Sequence, residues 1–243
     1  VHVLPEAIER VPGIFVRRQS SYGQPALAQI RGGNPRQMLV LLNGVRVRVP
    51  AGLGFDIGSL SLQGLSSATL YRGPGASVFG AGALTGVLDL GSGVSSRAPG
   101  RLEVQGVTGS FGTYELRAMA QGSNPNLGGV QAAASWRSSQ GDFPFLDAQG
   151  TPNVRINNDH ERLQAIVNGR WKGEATELAT TLWFDGGEHG VAGPSEFQRA
   201  FDSARLIVRR ILWTIAWMQR GAAEGAWGVL DMTLSGGVQW RTQ

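Results

Sequence analysis

From Arg101 to Gln243 apolar side chains return at every second position through segment after segment, and this period limits the fold more than any other feature. In 162–171, Leu163, Ala165, Val167, Gly169 and Trp171 alternate with Arg162, Gln164, Ile166, Asn168 and Arg170. In 176–185, Leu178, Thr180, Leu182 and Phe184 alternate with Glu177, Ala179, Thr181, Trp183 and Asp185. The same period runs through Tyr114/Leu116/Ala118/Ala120, Val130/Ala132/Ala134/Trp136 and Leu230/Met232/Leu234. Successive side chains of a strand point to opposite faces, so each segment is a strand with one apolar and one largely polar face. The segments are about nine to fifteen residues long, beyond the usual five or six and suited to crossing a bilayer at a tilt. Trp136, Trp171, Trp213 and Trp217 lie on the apolar faces, some near segment ends, where membrane-interface aromatics sit.

Connections carry a second signal. About three residues, Ser110 to Gly112, join one pair of strands, and about four, Lys172 to Ala175, join another. Long excursions run over 138–160 and 186–204. Short turns on one side and long loops on the other are the habit of outer-membrane barrels. A soluble β-sandwich also alternates, and stays open as the other reading of the pattern. Around Trp213, the face Ile211/Trp213/Ile215/Trp217 is bulkier and is assigned to lipid; Leu212, Thr214, Ala216 and Met218 are assigned to the lumen. About seven such strands have two free edges and cannot close by themselves.

Residues 1–90 follow a different grammar. Pro5 to Arg10 suits a helical turn that Val11-Pro12-Gly13 ends. The run Met38-Leu39-Val40-Leu41-Leu42, the pair Asn43-Gly44 and the alternating Val45 to Val49 predict a hairpin. This half reads as a small α+β domain. Gly91 to Gly100, small, polar and full of breakers, reads as a linker to the strands of 101–243.

Composition narrows the function classes. With 36 glycines, 42% hydrophobic and only 16% charged residues, the chain is neither disordered nor an ordinary helical bundle. The absence of cysteine rules out a disulfide framework, a thiolate metal site and a cysteine nucleophile. No stretch approaches the roughly 18 apolar residues of a membrane helix, which leaves a strand-built membrane protein open. The net charge is +4, but the arginines are scattered and Lys172 is the single lysine. Without a clustered patch, nucleic acid is not an expected partner.

Residues 1–90 resemble the plug domain of TonB-dependent outer-membrane receptors. Leu4 to Ile14, with Val11-Pro12-Gly13-Ile14, is similar to the plug's opening Val-Pro-Gly-Val segment. Ala28-Gln29-Ile30-Arg31-Gly32 matches its Ile-Arg-Gly element, and Met38 to Val45 matches the segment that ends Leu-Asp-Gly-Val. Leu70 to Leu90 follows the family's closing Arg-Gly-Pro-x-Ser-x-x-Tyr-Gly-x-x-Ala-x-x-Gly-Val-Ile-x-Ile element almost throughout. Asn43 replaces the usual Asp, Phe79 the usual Tyr and Thr85 the usual Gly; Asn43 still suits a left-handed turn position. Four elements in order and spacing make the match specific.

The resemblance implies a plug at 1–90, a linker at 91–100 and the N-terminal strands of an antiparallel transmembrane β-barrel at 101–243, an incomplete barrel. A plugged barrel has about 22 strands, so further strands and the TonB-binding segment are expected outside this sequence. It implies energy-coupled uptake of a siderophore, metal chelate or cobalamin-like nutrient in the bacterial outer membrane, with a TonB-type protein, a small ligand and lipid as partners. A passive porin or adhesin barrel, or a soluble β-rich binding module, is the rival. The resemblance also implies that Arg31 and Arg72 form ion pairs with glutamates on the barrel wall, against their being solvated loop arginines. A buried arginine needs such a partner.

The residues carry no catalytic constellation, and neither a cofactor nor a metal is expected. Gly73-Pro74-Gly75 and Gly80-Ala81-Gly82 lack the Lys of a phosphate loop and the spacing of a dinucleotide fingerprint. No Gly-x-Ser-x-Gly elbow exists. Glu188-His189 falls in a predicted loop without a second ligand at useful spacing, and the acid pairs Asp142/Asp147 and Asp185/Glu188 read as loop charges. Ligand contacts are expected from Tyr22, Phe55 and Asp56 in the plug and from Phe143 and Phe145 in the first long excursion; ordinary loop packing is the alternative for each.

Overall fold

The computed structural model describes residues 4–18, 24–47, 54–58, 60–72, 79, 83–194, 198, 202–219 and 230–240. The N-terminal half opens with a one-turn helix α1 (Leu4–Ile8) and a two-stranded antiparallel sheet of β1 (Ile14–Arg18) and β2 (Ala26–Ile30). A second sheet combines β3 (Met38–Leu42), β4 (Val45–Arg46), β5 (Leu65–Arg72) and β6 (Gly86–Ser92) in the order β4-β3-β6-β5.

The uninterrupted apolar run of β3 has its explanation here. All five residues are buried, and β3 lies parallel to β6, the arrangement in which strands are covered on both faces. Met38, Val40 and Leu42 pack with Ile30, Phe55, Leu88 and Leu90. Leu39 and Leu41 pack on the other side with Ala83 and Val87. The expected hairpin forms at Asn43 (φ +52°) and Gly44 (φ +76°); both angles are positive, as a type I′ turn requires. Its second arm is shorter than predicted: Val45 and Arg46 form the strand, Val47 N adds a bond to Val40 O at 2.9 Å, and residues 48–50 lie outside the described set.

Seven antiparallel strands follow: β7 (Arg101–Gly109), β8 (Thr113–Asn124), β9 (Gly128–Ser139), β12 (His160–Lys172), β13 (Thr176–Gly190), β14 (Arg205–Gln219) and β15 (Leu230–Trp240). They form one open sheet in sequence order. A small hairpin, β10 (Pro144–Leu146) with β11 (Pro152–Val154), lies within the excursion between β9 and β12. The alternation expected from the sequence is the alternation observed. Leu116, Trp136 and Leu163 are cross-strand neighbours on the outer face, as are Val167, Leu182 and Trp213. On β14, Trp213 and Ile215 are 41% and 39% exposed while Leu212 and Thr214 are buried, so the outward and inward faces are the two that the sequence separated.

Two loop expectations need correction. A tight turn at 125–127 also joins β8 to β9, so the short turn 110–112 shares its end of the sheet with the long excursions; Gln140 N donates to Phe111 O at 3.1 Å. And β13 continues to Gly190, because its pairing with β14 holds through Gly190↔Arg205. Asp185, Glu188 and His189 therefore stand on a strand, not in a loop.

The plug lies against the inner face of this sheet. Ala133, Ile166, Trp183 and Leu212 from four neighbouring strands join the plug's own hydrophobic cluster around Leu42, Phe55 and Leu60. Strand β6 runs two residues past the predicted boundary, to Ser92, and the joint to β7 is the irregular segment 93–100.

Candidate ligand site between plug and wall

At the end of the sheet that carries the long loops, the plug and strands β12 to β14 leave a cavity of about 310 Å³. The plug contributes Gln24, Pro25, Leu27, Gly54 and Asp56; the wall contributes four arginines, Arg155, Arg162, Arg205 and Arg210, and His189. Inward polar positions of neighbouring strands stack here by register. Gln164, Asp185 and Arg210 are directly opposite one another across β12, β13 and β14.

Asp185 is 0% exposed and is the centre of the wall's charge network. Arg162 grips it with two parallel bonds, Nε to Oδ1 and Nη2 to Oδ2, both 2.7 Å, the strongest form of carboxylate recognition. Arg210 Nη1 donates to Asp185 Oδ2 at 3.0 Å and Gln164 Nε2 donates to Oδ1 at 2.9 Å. A carboxylate this deep is tolerated only with such partners.

The plug attaches to this network at three points. Asp56 Oδ2 accepts from Arg162 Nη1 at 3.4 Å. Gln164 Oε1 accepts from the Ser61 amide at 2.7 Å. The Arg210 guanidinium lies over the Phe55 ring, 5.4 Å from its centroid, a cation–π contact. The other oxygen of Asp56, Oδ1, accepts from the Ala26 and Gly58 amides at 2.9 Å each, which fixes the loop that carries it.

The outer wall of the cavity is made by the two long excursions, which hold each other. Arg155 donates to Gly193 O, and Gln198 donates to Asn153 Oδ1 and Val154 O. Arg205 at the start of β14 takes Asp159 and Glu188 as ion partners, at 2.8 and 2.7 Å.

At the opposite end a polar cluster joins plug to wall. Asn43 Nδ2 donates to Ser92 Oγ at 2.9 Å and to Thr181 Oγ1 at 3.0 Å, and Ser92 Oγ and Thr181 Oγ1 both donate to Asn168 Oδ1 at 2.9 Å. Between the two ends Gly64 (φ +76°) runs so close to the wall that a Cβ there would lie 2.1 Å from Ile166 Cγ2.

The residues expected from the sequence distribute unevenly. Asp56 lines the cavity. Phe55 is 1% exposed and packs in the plug core beneath Arg210, so it supports the cavity wall from behind. Phe143 is half-buried and meets Phe111 edge-on at 6.1 Å, and Phe145 is half-buried on β10. Tyr22 lies outside the described residues. Arg31 and Arg72 flank Gly13 on the plug surface; both are exposed, and Arg72 Nη1 donates to Pro12 O at 2.7 Å. Neither forms an ion pair among the described residues. Between Asp56 and Arg162 the polarity is the reverse, a plug aspartate with a wall arginine. Sequence reasoning missed Arg155, Arg162, Arg205 and Arg210 as site residues, although the two-residue period had already put Arg162 on the polar face.

Comparison with known proteins follows the same division of the chain. Residues 2–87 match the family described as TonB-dependent Receptor Plug Domain. The chain is 27% identical over 184 residues to a vitamin B12 transporter, BtuB, of Vibrio vulnificus, covering 75% of this chain and 29% of that protein. With the BtuB of Photobacterium profundum it shares 30% over 140 residues, 57% of this chain and 22% of the other. The chain thus spans less than a third of the length of these relatives. Among solved structures, the copper transporter OprC superposes with a TM-score of 0.70 at 17% identity, over 97% of this chain and 34% of that one. The FrpB iron transporter of Neisseria meningitidis superposes with a TM-score of 0.71 at 12% identity, over 97% and 38%. At these identities the structural likeness speaks for the fold.

Proposed function

We propose that this chain is the plug domain of a TonB-dependent outer-membrane receptor together with strands of its β-barrel, and that it serves the energy-coupled uptake of a scarce nutrient. The observation that carries the proposal is the position of the cavity. It lies between the plug and the inner wall, at the end of the sheet with the long loops, which in outer-membrane barrels is the extracellular end. A ligand entering from outside meets this cavity before it meets the plug core.

The ligand is a siderophore, metal chelate or cobalamin-like molecule, in keeping with relatives named for vitamin B12 and structural neighbours named for copper and iron. Asp56, Phe143, Phe145 and Tyr22 are its proposed contacts, with Phe55 acting through Arg210. A TonB-type protein supplies the force that shifts the plug. Arg31 and Arg72 pair with barrel glutamates on strands beyond those described here. The mechanism is binding and displacement; no bond of the ligand is made or broken.

Deletion of the full-length gene, followed by growth with a single iron, copper or cobalamin source at limiting concentration, tests the reading. Loss of growth on one source, restored by the gene in trans, is expected. Undiminished growth on all of them contradicts it.

A further inference from the structure

The charges at the cavity do not balance within the wall. Arg162 and Arg210 share one buried carboxylate, Asp185, so the trio holds an excess positive charge. Asp56 reaches over from the plug to offset it, with Oδ2 3.4 Å from Arg162 Nη1. That contact is loose beside the two 2.7 Å bonds between Arg162 and Asp185. The two oxygens of Asp56 also have separate tasks. Oδ1 holds the backbone of its own loop, through Ala26 and Gly58, while Oδ2 faces the wall arginine. Losing the contact to Arg162 therefore leaves the loop's own bonds in place.

Two further observations add to the excess. Arg210 Nε is buried and has no hydrogen-bond partner among the described residues, a state that costs free energy. Arg155, across the cavity, donates to Gly193 O and has no carboxylate within ion-pair distance among the described residues. All three arginines and Asp56 line the same cavity.

We propose that this cavity takes an anionic oxygen group of the ligand, such as a carboxylate of a metal chelate, between Arg155, Arg162 and Arg210, and that this group displaces Asp56 from Arg162. The inference rests on the receptor reading above and adds to it a ligand charge and a coupling step. The ligand replaces the plug's negative charge at the wall, so occupancy removes one of the plug's ionic holds on the barrel. Asp56 is then a competitor of the ligand as well as a pocket residue.

The test uses the full-length protein in detergent, with ferric citrate as an anionic probe and cyanocobalamin as a probe without net charge, measured by calorimetry. Asp56→Asn retains an oxygen for the Ala26 and Gly58 amides and removes the competing charge. It is expected to bind ferric citrate about fivefold more tightly or better, the worth of about one weak ion pair, with no gain for cyanocobalamin. Arg155→Gln, on the cavity rim, is expected to weaken ferric citrate binding. If Asp56 were structural glue only, Asp56→Asn would bind ferric citrate equally or more weakly, and that result overturns the proposal. So does a wild-type protein that does not bind ferric citrate. Neither result touches the receptor reading, which stands or falls on the growth experiment.

Discussion

Asp56 of the plug and Arg162 of the barrel wall, 106 residues apart in sequence, meet through Oδ2 and Nη1 at 3.4 Å. The contact ties the plug to the wall at the mouth of the cavity. Behind it the wall supports Arg162 through Asp185, so the strength of the plug's hold depends on a carboxylate whose hydrogen bonds run to Arg162, Gln164 and Arg210 of the wall.

Asp185→Ala removes the carboxylate between two guanidiniums. The stranded charges are expected to cost about 3–5 kcal/mol, read as a lower urea midpoint of the full-length barrel refolded in liposomes. A shift no greater than that of an outward-facing polar control would show that the network contributes little.

The outer face is expected to answer to lipid. Ile215→Arg, with Ile215 39% exposed outward, is expected to cost about 2–4 kcal/mol near the bilayer centre. Thr214→Arg points to the lumen, where a space of about 470 Å³ adjoins Thr214, and is expected to cost much less. Folding yields in liposomes measure both; equal damage would contradict the assignment of faces.

Gly64→Ala meets two obstacles together, a φ of +76° and an overlap with Ile166 Cγ2 at 2.1 Å. A destabilisation of about 1–3 kcal/mol is expected. Ile166→Ala in the same chain relieves only the overlap, so the two changes are expected to be non-additive in a double-mutant cycle. Strict additivity would place Gly64 away from the wall.

Limited proteolysis is expected to cut in the joint 93–100 before it cuts β3. The joint has exposed Gly93, Ser95 and Arg97, whereas β3 is buried throughout. First cleavage within 38–42 would contradict the boundary.

What the sequence revealed and what it hid divide along a physical line. Strand period and the Asn43-Gly44 turn are local properties, and each was legible from neighbours in the chain. Strand register is not local. That Asp185 stands opposite both Gln164 and Arg210 follows from how three strands slide against each other, and no single segment records it. The extent of β13 was hidden for the same reason. Gly186, Gly187 and Glu188 lack the apolar alternation of the segment before them, and pairing with β14 alone keeps them in the sheet. The plug motifs were legible as a resemblance, which pointed to Arg31 and Arg72. The charge pair between Asp56 and Arg162 has no counterpart in those motifs and emerged only from the packing of plug on wall.

The proposed uptake requires that the plug, which packs on the inner wall through Ala133, Ile166, Trp183 and Leu212, shifts from it for the nutrient to pass. The chain has no cysteine, so an engineered pair reports without background. A Cβ at Gly64 would stand 3.5 Å from Ile166 Cβ, within the range a disulfide spans. The full-length protein carrying Gly64→Cys and Ile166→Cys, expressed in cells, is expected to crosslink in the outer membrane and to lose nutrient uptake while still binding at the surface, with uptake restored by reductant. Each single variant, reduced or oxidised, controls for strain at Gly64. Failure of the pair to crosslink in the folded protein would place Gly64 away from Ile166, and full uptake with the crosslink intact would show that the plug need not shift.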